Sequence, residues 1–192
     1  LKAIFKNPQS FTSSILERIK NISKQHSIDH IKYVKTGGAH GLFKFEDHES
    51  YSFSILDVQK HEKTIFNKIV YDSDFEKEFA IILDHDDRIK FYFKLPSFYK
   101  IPTPVGTYNP DWAIVSEKIN PQGKIEQTCY FVVETKAKKD EHLNINESLK
   151  IECGRKHFLS LNPKNNDIII KYEVVKTIEE FRNIQIKDCK KA

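Results

Sequence analysis

The sequence predicts an α/β domain whose mixed β-sheet is covered by helices on both faces. Three observations carry that expectation. The 192 residues are enough for one domain with a sizeable core and short for two. A 39% hydrophobic fraction with fourteen Phe, eight Tyr and one Trp argues for a packed interior. From Tyr71 onward the pattern reads helix, three strands, helix, strand, helix, an order that suits a mixed sheet between helical layers.

Phe11, Ile15, Ile19 and Ile22 recur at helical spacing after Ser10, an expected N-cap. Ile31–Lys35 and Leu42–Glu46 read as strands flanking Gly37, Gly38 and Gly41. No Gly-Lys-Ser/Thr follows those glycines, so a hairpin loop suits them better than a phosphate cradle. Ser52–Ile55 is a further candidate strand. Tyr71–Leu83 reads as a helix, with Ser73 and Glu76 as a capping box and Phe75, Phe79 and Ile82 on one face. Asp84, His85, Asp86 and Asp87 then form a polar turn, since consecutive residues converge poorly on one ion.

Ile89–Leu95 alternates as a strand, and Pro96, Pro102, Pro104 and Gly106 make the next segment an extended, stiff loop. Trp112–Val115 is a strand, Asn120–Gly123 a strong turn, and Cys129–Thr135 a strand rich in β-branched and aromatic residues. Asn146 is expected to cap a helix running to about Leu161. Ile168–Val175 is the last strand, and Thr177 opens a final short helix.

Composition excludes several classes. No apolar run is long enough to span a membrane, and the N-terminus has no secretory pattern. Three cysteines, Cys129, Cys153 and Cys189, are too few and too widely spaced for a disulfide scaffold or a thiolate zinc site, and suit a reducing, cytoplasmic compartment. His26 and His30 lack a third ligand for zinc. The net charge of +4 divides unevenly. Residues 1–35 carry seven cations against two acids, residues 36–87 five against twelve, and residues 88–192 nineteen against thirteen. Arg88 to Lys100 holds four cations and no acid, compatible with a polyanion partner or with a merely solvated surface. The chain lacks Met, and it is expected to be the tail of a longer polypeptide.

The informative residues are Asp111, Glu134 and Lys136. Glu134 and Lys136 are two apart on one strand and so share a face. A hairpin centred between Pro121 and Gln122 sets Asp111 opposite Val132 and makes Glu134 its diagonal neighbour, about 7–8 Å away at the backbone. Two hard carboxylates so close suit Mg²⁺, which completes its shell with water and phosphate oxygens. Such an ion acidifies a bound water and neutralises phosphodiester charge, and Lys136 would orient or deprotonate that water or stabilise the pentacovalent phosphate. The bland reading is an exposed Glu–Lys pair and an Asp that starts a strand after Pro.

Lys94–Leu95–Pro96, the stretch Ile101–Pro102–Thr103–Pro104–Val105–Gly106–Thr107–Tyr108–Asn109–Pro110–Asp111–Trp112–Ala113, and Phe131–Val132–Val133–Glu134–Thr135–Lys136 together resemble the C-terminal endonuclease domain of the restriction (Res) subunit of type III restriction enzymes. Tyr71–Asp72–Ser73 with Glu76 and Phe79 upstream, and Lys150–Gly154 with Lys156–Phe158 downstream, extend the likeness. The resemblance implies a restriction-endonuclease-like, PD-(D/E)xK fold, with residues 71–192 as the nuclease core and 1–70 as an accessory element of the same domain. It assigns Mg²⁺ to Asp111, Glu134 and the Thr135 carbonyl, and a catalytic role to Lys136. Glu76 becomes the early-helix acid, with the capping box as its alternative role. Ala137–Lys138–Lys139 departs from the glycine or small polar residue expected after Lys136.

Arg155, Lys156 and His157, with Lys94, are candidates for DNA phosphates, or else line a solvated helix face. The resemblance also implies double-stranded DNA as substrate, a modification (Mod) subunit as partner, and an ATP-dependent helicase/translocase in the same polypeptide. No ATP-binding Gly-x-x-x-x-Gly-Lys-Ser/Thr occurs in these 192 residues, which places that motor and its ATP elsewhere. The alternative is a non-catalytic DNA-binding or assembly module of the same complex.

Overall fold

Alternating apolar side chains in Trp112–Ile119 and Ile125–Thr135 build a sheet with two different faces. Trp112, Ile114, Phe131 and Val133 point one way and Val132 the other, all buried. The computed structural model describes residues 7–35, 54–119, 121–136, 144–162 and 170–188. Its elements are α1 (Pro8–Asp29), β1 (Ile55–Asp57), a 3₁₀ turn (His61–Lys63), β2 (Lys68–Val70), α2 (Asp74–His85), β3 (Ile89–Lys94), β4 (Trp112–Ile119), β5 (Ile125–Thr135), α3 (Ile145–Leu161), β6 (Ile170–Val175) and α4 (Ile178–Asp188).

The main sheet runs β3-β4-β5-β6, and β1 and β2 form a separate two-stranded ladder. β3, β4 and β5 pair antiparallel, whereas β6 joins β5 in parallel. The sheet is therefore mixed, and α3 supplies the crossover that a parallel pair requires. Phe79, Ala80 and Leu83 of α2 and Phe181 of α4 cover one face, packing with Tyr92, Trp112, Ile114, Phe131 and Val133. Phe79 lies edge-on to both Trp112, at 5.7 Å, and Phe181, at 5.1 Å. Ile151 and Phe158 of α3 cover the other face with Phe93, Val132 and Tyr172. Each large side chain buried this way contributes about 1.5–3 kcal/mol. Outside α3 lies α1, joined through Ile28, Leu149 and Cys153.

The element order from Tyr71 is as expected, and the differences have local causes. α1 starts at Pro8 because Asn7 caps it, its Oδ1 accepting from Ser10 N at 3.0 Å, so Ser10 is inside the helix. Its Ile15, Ile19 and Ile22 are 42%, 57% and 62% exposed, and Ile28 makes the core contact instead. Ile31–Lys35 is irregular, not a strand. Leu42–Glu46 and the three glycines lie outside the described residues. Of the strand expected at Ser52–Ile55, residues 52 and 53 lie outside the described residues and Ile55 begins β1, whose partner β2 carried no recognisable pattern at three residues long. α2 runs on through Asp84 and His85, so the polar turn starts only at Asp86. α3 is capped by Asn144, whose Oδ1 accepts from Asn146 N at 3.1 Å, and Asn146 is already helical. Thr177 does begin α4, accepting from Glu180 N at 3.1 Å. Among the described residues, no helix is long and apolar enough to cross a membrane.

Candidate active site

The site forms where β4 begins and β5 ends. Trp112 pairs with Val133 and Ala113 with Val132, so continuing the register by one residue sets Asp111 directly against Glu134. The expected register is off by two. One position comes from the turn, where Ile119 pairs with Ile125, and one from the irregularity between Lys118 and Ile119; together they make a shift of two, which preserves which residues share a face. The neighbours are therefore closer than the diagonal arrangement would make them.

Asp111 is partly buried, and its Oδ2 accepts from Thr135 N and Thr135 Oγ1, both at 2.7 Å. Burial and the charge of Glu134 push its carboxyl up to about 7, against the pull of the Thr135 bonds. Glu134 is buried at 4% exposure. Its Oε2 accepts from Tyr108 OH at 2.6 Å, and its Oε1 lies 2.9 Å from Lys136 Nζ. Burial raises Glu134 as well, although those two contacts oppose the shift. Two adjacent carboxylates that both resist ionisation are an arrangement that a cation would relieve. Their hard oxygens, with the Thr135 carbonyl, suit a small divalent ion that keeps several waters. Among the described residues no set of three His, Cys, Asp or Glu side chains converges, so main chain, water or substrate would complete any shell.

Lys136 also pairs with Glu147 in the first turn of α3. Burial works against its charge, yet the contacts with Glu147 and Glu134 outweigh it and hold the amine above its usual value. Lys136 is thus a fixed cation and a poor base. Its departure motif, Ala137–Lys138–Lys139, lies outside the described residues.

Glu76, in the first turn of α2, is buried, and its Oε2 accepts from Asp72 N at 2.8 Å and Lys94 Nζ at 2.7 Å. Ser73 Oγ accepts from Glu76 N at 3.2 Å, so the cap is real, though the carboxylate returns to Asp72 N rather than to the cap residue itself. Glu76 is also near enough to contribute to the raised Asp111 carboxyl. Capping and proximity to the site therefore coexist.

The candidate DNA-contacting residues separate. Arg155 is exposed on α3 and borders a cavity of about 440 Å³ with Ser148 and Lys176. Lys156 Nζ donates to the carbonyls of Ile28 at 2.7 Å and Asp29 at 2.9 Å, closing the C-terminus of α1. The His157 ring lies 5.1 Å from Tyr33, its Nδ1 has no hydrogen-bond partner among the described residues, and burial lowers its pKa. Lys94 Nζ is bound to Asp72 and Glu76. The basic run from Arg88 is largely neutralised as well, since Arg88 pairs with Asp86 and Lys90 lies 3.8 Å from Glu117. Sequence reasoning missed Tyr108, which donates to Glu134, Tyr172, which contacts the Tyr108 hydroxyl, and Glu147, which pairs with Lys136. One signal was present: Gly154, in the middle of a helix.

Searches against curated proteins and against solved structures returned no match. A family model described as an endonuclease domain matches residues 62–178, a span that includes Glu76, Asp111, Glu134 and Lys136, and the chain belongs to that endonuclease-domain family.

Proposed function

We propose that the chain is the Mg²⁺-dependent DNA endonuclease domain of a type III restriction enzyme, hydrolysing phosphodiesters with a metal-activated water. The observation that carries this reading is the opposed Asp111–Glu134 pair with Lys136 fixed at 2.9 Å from Glu134. Asp111, Glu134 and the Thr135 carbonyl would hold the ion. When bound, Mg²⁺ lowers the pKa of a coordinated water and offsets phosphate charge. Lys136, kept protonated between Glu134 and Glu147, presents positive charge to the phosphate as negative charge builds in the transition state. Lys94 pairs with Asp72 and holds Glu76, whose charge acts on Asp111. Arg155 is the residue of its group that remains exposed to meet a DNA phosphate.

The wider setting follows the resemblance. Double-stranded DNA is the substrate, a Mod subunit supplies recognition, and an ATP-driven helicase part of the same Res polypeptide delivers the DNA in the cytoplasm. The test incubates supercoiled plasmid and Mg²⁺ or Mn²⁺ with the chain, Asp111→Ala and Lys136→Ala. Nicking by the unmodified chain alone is expected, and equal nicking by all three overturns the residue assignment. If the chain needs its motor, the same comparison in the Res–Mod complex with ATP decides. Intact DNA there marks a non-catalytic assembly module.

A further inference from the structure

Glu134 is held at both oxygens, and the holder at Oε2 is a tyrosine that the proposed chemistry leaves without a task. Tyr108 is 5% exposed and its hydroxyl donates to Glu134 Oε2 at 2.6 Å. It does not stand alone. The hydroxyl of Tyr172 contacts that of Tyr108, and Phe158 stacks on Tyr172 at 5.7 Å with the rings nearly parallel. The space for the Tyr108 ring comes from α3. A Cβ on Gly154 would meet Tyr108 Cε1 at 2.7 Å and Tyr172 Cε2 at 3.2 Å. A helix-interior glycine ordinarily costs about 1 kcal/mol relative to alanine. Here that cost is linked to seating the ring of Tyr108, which reaches the carboxylate, and the ring of Tyr172, which reaches Tyr108.

We infer that Tyr108 is a positioning residue for the metal-binding carboxylate of Glu134, braced by Tyr172 and admitted by Gly154. The inference rests on the metal-site reading of Asp111 and Glu134. Its physical basis is preorganisation. A carboxylate has about four lone-pair positions. One donor on each oxygen fixes its plane and still leaves lone pairs for an ion. Without Tyr108 the carboxylate keeps only the Lys136 contact on Oε1 and can turn about its own axis, so ion binding would have to arrest that motion. Outer partners of this kind affect metal affinity by about 10–100-fold.

The test measures Mn²⁺ binding by electron paramagnetic resonance, and nicking against Mg²⁺ concentration, for the unmodified protein, Tyr108→Phe, Tyr172→Phe and Asp111→Ala. Tyr108→Phe keeps the ring and removes only the donor. Its Mn²⁺ affinity should fall about 10–100-fold, and half-saturation by Mg²⁺ should shift equally, while nicking at saturating Mg²⁺ changes far less. Tyr172→Phe leaves the Tyr108 donor in place but removes its brace, and should show a smaller shift in the same direction. Should Tyr108→Phe fold poorly, Tyr172→Phe carries the comparison. Affinities within twofold of the unmodified protein overturn the positioning role. Mn²⁺ binding that is absent from the unmodified protein, or unaffected by Asp111→Ala, overturns the metal-site reading itself and this inference with it.

Discussion

The two ends of α2 each approach a buried acidic cluster, and the two clusters are built on opposite principles. Near the C-terminal end, Asp84 is 4% exposed and surrounded by donors: Gln59 N at 2.9 Å, Lys60 N at 3.2 Å and Tyr92 OH at 3.2 Å. Lys63 Nζ donates to the carbonyls of Asp84 at 3.0 Å and Asp86 at 2.8 Å, satisfying the helix end. Arg88 grips Asp86 through Nε at 3.0 Å and Nη2 at 2.7 Å. At the other end, eight residues or roughly 12 Å along the axis, Glu76 lies near enough to Asp111 for its charge to act on that carboxyl. There a carboxylate faces another carboxylate, and the Asp111 carboxyl rises to about 7.

The difference teaches how to separate a structural acid from a candidate ligand acid. Both are withdrawn from water. The first has its lone pairs answered by the protein. The second also has protein donors, but its carboxyls face one another, and burial with that mutual charge raises Asp111.

Breaking each cluster should therefore produce different failures. The largest effect belongs to Asp111→Asn. Under the proposed function Asp111 holds the ion, and its loss would remove several kcal/mol of transition-state stabilisation, so Mg²⁺-dependent nicking should fall about a thousandfold. Its thermal unfolding midpoint without metal should hold or rise, because a neutral amide no longer faces Glu134. A clear fall in that midpoint would place Asp111 with the structural acids.

Asp84→Ala should do the reverse. It strands two backbone donors and the Tyr92 hydroxyl, and urea unfolding should show a loss of about 3 kcal/mol. Nicking per folded molecule should be unchanged. Gly154→Ala sits between the two. Overpacking against Tyr108 and Tyr172 should cost about 1–2 kcal/mol, and Mg²⁺ half-saturation should rise along with it.

The smallest effect is one of pH. Burial tends to raise Asp86, but the Arg88 contacts outweigh it and hold the carboxyl below its ordinary value. The folded state then binds that proton less tightly than the unfolded chain does. The stabilisation is complete above the ordinary carboxylate range, near pH 4, and is lost as pH falls through the lower folded value. Asp86→Asn should flatten that acid limb of the stability curve, measured by denaturant unfolding between pH 5 and pH 2. An unchanged acid limb would show that the Asp86–Arg88 pair is not what distinguishes this end of the helix.

Local pattern in the sequence determined much of this protein. The alternation in β3, β4 and β5, the caps at Ser73 and Thr177, and the order of elements after Tyr71 depend on neighbouring residues, so periodicity and capping chemistry revealed them. That Asp111 shares a face with Glu134 was also legible, because parity survives a register error of two, although the direct pairing was not. What tertiary structure alone decided was which charges and rings are engaged. Lys156 reads as a surface cation until α1 packs against α3 and presents carbonyls to it. Lys94 reads as a DNA contact until α2 brings Glu76 across the sheet edge. Tyr108 and Tyr172 are 64 residues apart and meet because a parallel strand and a glycine-bearing helix converge there. A charge or hydroxyl is available or committed according to what folding places opposite it, and spacing along the chain does not encode that.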